Sequence, residues 1–106
     1  MTTIEQEIQA KDLTAPRITP ERIEEIIVHE AFHTFPGTTV TVCCITLLNG
    51  FTVVGESACA SPENFDIDLG KRFARDDAKR KIWALEGYAL RNQLSSMQQP
   101  TKGEVK

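Results

Sequence analysis

The chain has 106 residues, of which 41% are hydrophobic and 25% are charged, and its formal net charge is −3. These values are ordinary for one small globular domain, and they argue against a generally basic nucleic-acid binder. Because no run approaches the roughly 20 apolar residues of a membrane-spanning helix, we expect a cytoplasmic protein that has no membrane partner.

Both ends of the chain are predicted to be tails. Residues 1–17 show weak periodicity and lack the basic and apolar regions of a secretory signal. Residues 96–106 are mostly polar and contain Pro100 and Gly103. We therefore predict a flexible N-terminal segment at 1–17, a single α+β domain at 18–95 and a disordered C-terminal tail at 96–106.

The first predicted element is an N-terminal helix that begins after Thr19 and ends before Pro36. Thr19 is a suitable N-cap, and Pro20 fits the first helical position, where a missing N–H costs nothing. Apolar residues recur at helical spacing and form a stripe for the core: Ile23, Ile26, Ile27 and Ala31. The same spacing puts His29 and His33 together on the polar side of this helix.

The segment "HEAFH" inside this predicted helix matches the H-E-x-x-H pattern of zinc peptidases. On a helix, His29 and His33 could bind one zinc ion, and Glu30 could act as a general base. No motif supplies the third ligand, because the extended pattern fails at Pro36 and Thr39. We favour a solvated polar face and predict no metal, cofactor or catalytic residue, with a minimal zinc peptidase as one alternative.

Two β-rich runs flank Asn49-Gly50, which is the preferred pair for a two-residue type I′ turn. The pattern predicts a two-stranded antiparallel hairpin in which Leu48 lies opposite Phe51. That register groups Val40, Val42, Cys44, Leu48, Val53, Gly55 and Cys59 on one face, and Cys43, Ile45, Leu47, Val54 and Ala58 on the other. Because both faces are apolar, we expect helices on one face and another element on the second face or along an edge. We expect the cysteines to be small packing residues.

A long C-terminal helix is predicted after Asp66, which is a suitable N-cap. Its main apolar stripe comprises Ala74, Ala78, Ile82, Leu85 and Ala89. Trp83 lies beside this stripe and is expected to pack in the core. One copy would leave apolar surface exposed, so we predict a homodimer, preferably through Leu90 and Leu94 of two long helices. Pairing of hairpin edges into a four-stranded sheet is the alternative.

The segment "KRFARDDAKRK" contains six basic and two acidic side chains. At helical spacing Arg72, Arg75 and Lys79 share a flank, and Trp83 lies one turn beyond them. This flank could bind a phosphate backbone, a nucleotide or an acidic protein surface. We favour a solvated face whose charge is balanced by Asp76, Asp77 and the acidic first helix.

Four motifs occur in order over about residues 35–92: the strand G-T-T-V-T-V-C, the return strand N-G-F-T-V-V-G-E-S-A-C, the turn P-E-N-F-D and the helix W-x-L-E-G-Y. In these motifs the chain resembles a small family of tailed-bacteriophage proteins that has no assigned biochemical activity. The resemblance implies a phage or prophage origin and a host bacterial cytoplasm, and it carries no catalytic residue onto this chain. "HEAFH" lies outside the resembling block.

We therefore expect a non-enzymatic phage accessory protein that binds a host protein, such as a defence or replication factor. The alternative is nucleic-acid or nucleotide binding through the basic flank.

Overall fold

The protein, described here by a computed structural model over residues 16–98, is α+β as predicted. Helix α1 spans Pro20–Glu25, and strands β1, β2 and β3 span Ile27–Thr34, Val40–Leu47 and Thr52–Ala58. A 3₁₀ turn at Pro62–Asn64 leads into the long helix α2, Ile67–Gln98. The strands form one antiparallel sheet in the order β1-β2-β3, and α2 packs across β2 and β3.

The ends of the predicted domain are described only in part. Helix α2 continues to Gln98, which is beyond the predicted domain end at residue 95. The rest of the two predicted tails, residues 1–15 and 99–106, lies outside the described residues.

The predicted N-terminal helix is wrong beyond its first turns. Thr19 is the N-cap, as predicted, because its side chain accepts a hydrogen bond of 3.1 Å from the N–H of Arg22. However, α1 ends at Glu25, and the next residues form β1. Two side chains four residues apart share a face in a helix and also in a strand, so the histidine spacing fitted both. The aromatic and β-branched residues of "IIVHEAFHTF" favour the strand.

The sheet therefore has three strands, whereas the prediction was a two-stranded hairpin. Strand β1 pairs with β2 along its whole length, with an irregularity between Ile27 and His29. The expected partner for an edge of the hairpin is thus supplied by the segment that had been assigned to the first helix. A third strand is physically favourable because an isolated two-stranded ribbon is only marginally stable.

The hairpin turn has three residues instead of two. Leu47 lies opposite Phe51, since the N–H of Leu47 donates to the Phe51 carbonyl at 2.8 Å. The N–H of Gly50 donates to the Leu47 carbonyl at 2.8 Å, and Gly50 has a φ of 88°. A three-residue loop that ends in a left-handed glycine takes the place of the type I′ turn. The predicted opposition of Leu48 and Phe51 is wrong by one residue.

This shift changes which residues of β2 and β3 share a face. The face against α2 carries Thr41, Cys43, Ile45, Leu47, Val53, Gly55 and Ser57. The opposite, open face carries Val40, Val42, Cys44, Thr46, Thr52, Val54, Glu56 and Ala58. Cys43 is buried and burial raises the pKa of its thiol to about 11, whereas Cys44 points to the open face. A buried cysteine that packs as a small apolar residue fits the prediction at Cys43.

The core lies between the sheet and the two helices. Its fully or almost fully buried members are Ile23, Ile26, Cys43, Ile45, Leu47, Val53, Ala74, Ala78 and Ile82. The predicted α2 stripe is confirmed up to Ile82, but Leu85 and Ala89 are exposed. The prediction that Trp83 packs in the core is wrong, because Trp83 is 39% exposed on another side of the helix from Ile82. The 32-residue helix is about 48 Å long, whereas an eight-residue strand extends only about 27 Å, so the end of α2 runs past the sheet.

Helix α2 crosses β3 at Gly55, where the two backbones touch. A Cβ atom on Gly55 would overlap the carbonyl oxygen of Ala74 and the amide nitrogen of Ala78. These two atoms face each other across one turn of the helix, so neither can move away without breaking a helical hydrogen bond. Only glycine on the strand and small residues on the helix permit this approach.

Gly55→Ala is expected to lower the free energy of unfolding by at least about 2 kcal/mol, because the added methyl group must push the helix backbone off the sheet. Gly87→Ala is the matched control, since no atom lies within 4 Å of the site for its Cβ. The control should raise stability by about 0.5–1 kcal/mol through helix propensity. Chemical denaturation of both variants measures the difference, and equal stabilities would contradict the contact.

Gly50→Val is expected to lower the free energy of unfolding by about 1–2 kcal/mol, because a β-branched residue resists a φ of 88°. No atom lies within 4 Å of the site for its Cβ, so the cost is one of backbone conformation alone. Thermal denaturation measures this cost. A melting temperature equal to that of the wild type would show that the turn does not need a left-handed residue.

Candidate interaction surfaces

The "HEAFH" segment lies on β1, and this placement removes the helical geometry on which the zinc-peptidase alternative depended. Four residues along a strand separate His29 from His33 by about 13 Å, whereas two imidazoles that share a zinc ion each lie about 2 Å from it. Glu30 points to the other side of the sheet, towards α2. Within residues 16–98, no cluster of three or more His, Cys, Asp or Glu side chains could hold a metal ion.

Two members of the predicted basic flank form ion pairs inside the chain. The guanidinium of Arg75 lies 2.8 Å from a carboxylate oxygen of Glu30 on β1 and 3.0 Å from one of Glu24 on α1. Lys79 reaches the second oxygen of Glu24 at 2.6 Å. The hydrogen bond that Lys79 donates to Glu24 lowers the pKa of Glu24, and the hydrogen bond that Arg75 donates to Glu30 raises the pKa of Arg75. This cluster matches the favoured interpretation, in which the acidic first helix balances the flank.

The other predicted site residues lie apart from this ion-pair cluster. Arg72 is exposed, and Trp83 lies further along α2 with more than a third of its surface open to solvent. Leu90 and Leu94, the predicted dimer residues, are half-buried near the end of α2, where Tyr88 is 70% exposed.

A pocket of about 180 Å³ lies where the end of β3, the 3₁₀ turn and the first turns of α2 meet. Its lining residues are Thr39, Ser57, Ala58, Cys59, Asn64, Phe65, Asp66, Leu69, Gly70 and Phe73. Phe65, Leu69 and Phe73 make most of its wall apolar, and Leu69 and Phe73 remain about half exposed. At protein interfaces, large side chains that contribute most to binding are often buried in well-packed pockets of the partner.

Local hydrogen bonds fix the shape of this pocket. Asp66 caps α2, as predicted, because its Oδ1 accepts from the N–H groups of Asp68 at 2.9 Å and Leu69 at 3.1 Å. The hydroxyl of Ser57 donates to the Gly70 carbonyl at 2.8 Å and joins β3 to the helix. The pocket is therefore held by the fold before any partner binds.

Acidic residues occur in the segments that build the pocket. Asp66 lines it, Glu63 precedes it in the 3₁₀ turn, and Asp76 lies one turn along α2 from Phe73. A hydrogen bond of 2.7 Å from the Ser61 hydroxyl lowers the pKa of Glu63, so this carboxylate is ionised at neutral pH. Asp66 thus brings a carboxylate to the lining itself, and the adjoining segments carry Glu63 and Asp76 together with the exposed bases Lys71 and Arg72.

Sequence patterns did not identify this pocket, because its three apolar residues are not on the main stripe of α2. Leu69 and Phe73 are four residues apart, and this second apolar line was the available signal. It becomes a pocket only when Phe65 and the end of β3 lie beside it. The G-E-S-A-C and P-E-N-F-D motifs both contribute lining residues.

A family model described as "Phage protein (N4 Gp49/phage Sf6 gene 66) family" matches residues 18–94. The chain belongs to this family of phage proteins. The match confirms the resemblance, and it starts before "HEAFH", so that segment lies inside the family region and not outside it as expected.

Searches among curated proteins and among solved structures found no significant match to this phage protein. Within residues 16–98, we find no helix with the length and apolar content needed to span a bilayer.

The ion pairs of Glu24 should make stability depend on pH. The pKa of Glu24 is lowered in the folded chain, so its ionised form adds stability above its ordinary pKa, and this contribution is lost as the pH falls through the lowered value. Glu24→Gln should therefore melt below the wild type at pH 7, and the gap should close as the pH falls from about 4.5 towards 2.

The neighbouring exposed residue gives the control for this experiment. Glu25→Gln changes the same charge on α1, and no ion pair of Glu25 occurs within residues 16–98. Its melting temperature should follow that of the wild type at every pH. A gap for Glu24→Gln that stays constant down to pH 2 would contradict the assignment.

Proposed function

We propose that this phage protein acts by binding a host protein in the bacterial cytoplasm, without catalysis, and that the pocket beside the start of α2 receives the partner. The observation that carries the proposal is the preformed apolar pocket with the half-exposed walls Leu69 and Phe73. Its volume of about 180 Å³ suits one large side chain of the partner. Apolar anchors of this kind supply most of the binding energy in protein interfaces.

Charge at the rim defines the chemistry of the partner. We infer a negative border from Asp66 in the lining and from Glu63 and Asp76 in the adjoining segments, and the whole chain carries a net charge of −3. A suitable partner segment would present an aliphatic or aromatic side chain that packs against the apolar wall. Lysine or arginine residues on either side of it would interact with the acidic residues. Rim charges of this kind mainly raise the association rate, so binding should weaken as salt increases.

Nucleic-acid binding through Arg72, Arg75 and Lys79 is the alternative. A phosphate would have to displace Glu24 and Glu30 from Arg75 and Lys79, which already form close ion pairs. Among residues 16–98, no ion pair involves a lining residue of the pocket. An oligonucleotide titration at low and high salt tests the alternative directly, since phosphate binding would fall steeply with salt.

The experiment compares two substitutions of equally exposed phenylalanines. Phe73 and Phe51 are each 56% exposed, but Phe73 lines the pocket and Phe51 follows the hairpin turn. Immobilised wild-type protein and the Phe51→Glu variant should recover the same host protein from bacterial lysate, whereas Phe73→Glu should not. With the purified partner, Phe73→Glu should raise the dissociation constant at least tenfold, which corresponds to about 1.4 kcal/mol.

Three results would count against the proposal. They are recovery of the partner by Phe73→Glu at the wild-type level, recovery of nucleic acid in place of a protein, and failure of the wild-type protein to retain any partner. Circular dichroism of both variants shows that the substitutions leave the fold intact.

A further inference from the structure

The two edges of the sheet differ in how their backbone groups are satisfied. On the β3 edge, the N–H of Glu56 donates to Asp77 Oδ2 at 3.0 Å, and Lys81 Nζ donates to the carbonyl of Val54 at 2.6 Å. Both side chains come from α2. Charged side chains that occupy edge groups in this way prevent another strand from pairing there.

The β1 edge is open by comparison. The N–H of Phe35 donates to the Val40 carbonyl at 3.1 Å, and strand alternation then points the backbone groups of Glu30, Phe32 and Thr34 away from β2. Within residues 16–98, no side chain or loop forms a hydrogen bond with these outward groups. A strand of eight residues with such an edge is a template for pairing with another strand.

We propose that β1 pairs antiparallel with β1 of a second copy of this chain, about a twofold axis that passes beside Phe32. The two three-stranded sheets then become one continuous sheet. Twofold pairing of identical edges is self-complementary, because every contact is made twice. This inference rests on the edge of β1 alone and is independent of the pocket at the start of α2.

The outward residues select this register. With the axis at Phe32, Phe32 lies opposite Phe32 of the second copy, and Glu30 lies opposite Thr34 of the second copy. The outward backbone groups of all three residues are then hydrogen-bonded across the interface. Moving the axis to His33 sets Glu30 opposite Pro36, which has no N–H to donate. Moving it to Ala31 sets Thr34 opposite Val28, where the β1–β2 register is irregular.

The side chains also fit this register. An axis at Glu30 would set two like charges directly opposite each other, which is destabilising, whereas an axis at Phe32 sets two aromatic rings opposite each other. Phe32 is more than a third exposed, and its ring has the ammonium of Lys71 at 5.8 Å from the centroid. The second phenylalanine would cover part of this exposed ring.

The long-helix route through Leu90 and Leu94 is the competing arrangement. Both leucines are half-buried in the chain itself, so they offer less apolar surface than the exposed side chains of β1. The β1 edge also offers backbone groups to which no residue of 16–98 forms a hydrogen bond, and these groups can pair with a second strand but not with a helix. The edge is therefore the stronger candidate.

Sedimentation equilibrium at tens of micromolar should give the wild-type chain of 106 residues a mass of twice 11.8 kDa. Phe32→Pro removes an N–H that points away from β2, so it should leave the fold intact and give a mass of 11.8 kDa. Phe32→Ala keeps that N–H and should remain dimeric, as should Leu90→Glu with Leu94→Glu. A monomeric wild type, or a Phe32→Pro variant that is dimeric like the wild type, would overturn the proposal.

Substitution of Phe32 by charged residues provides a second test that does not depend on proline. Residue 32 faces itself only in the proposed register, so Phe32→Lys and Phe32→Glu should each be monomeric because like charges oppose each other. An equimolar mixture of the two should form dimers containing one copy of each. A mixture that stays monomeric, or single variants that dimerise as tightly as the wild type, would exclude this register.

Discussion

The close contact between Gly55 and the backbone of α2 is the constraint on which the other features depend. It fixes how near the helix lies to β3, and so brings Ala74, Ala78 and Ile82 into the core. Because the helix lies this close to β3, side chains of α2 reach the edge of β3 and form hydrogen bonds with its backbone groups. The first turns of the helix also come to lie beside the end of β3, which creates the pocket. The absence of a Cβ atom at Gly55 therefore permits the packing of the core, the protection of the β3 edge and the formation of the pocket.

Charged residues hold α1 and β1 in their positions relative to this unit. Arg75 joins Glu24 of α1 to Glu30 of β1, and Arg22 joins α1 to Glu86 further along α2 at 3.0 Å. Partly exposed ion pairs of this kind each contribute about 0–1 kcal/mol, so their main effect is on orientation. They place the six residues of α1 over the end of the sheet, where Ile23 and Ile26 complete the core. The basic flank thus has a structural role before any ligand is considered.

The two proposed surfaces lie in different parts of the fold and have different chemistry. The pocket offers an apolar wall with the carboxylate of Asp66 in its lining, which suits a side chain of an unrelated protein. The β1 edge offers backbone groups that are unpaired within residues 16–98 and therefore suit a strand, and twofold symmetry favours an identical strand. A dimer built on β1 would carry two copies of the pocket on one molecule. Two sites on one rigid body strengthen binding to a partner that is itself symmetric or repeated.

Local sequence signals determined the α+β class, the Thr19 and Asp66 caps, the hairpin, the long helix and its buried line of Ala74, Ala78 and Ile82. The four motifs indicated the phage family. Tertiary structure decided what local signals left ambiguous: four-residue spacing in "HEAFH" fits a helix and a strand equally, and only pairing with β2 selects the strand. The turn length followed from the register that puts Val53 and Gly55 under α2. The pocket could not be predicted because Phe65, Leu69 and the end of β3 become neighbours only after the helix has packed on Gly55.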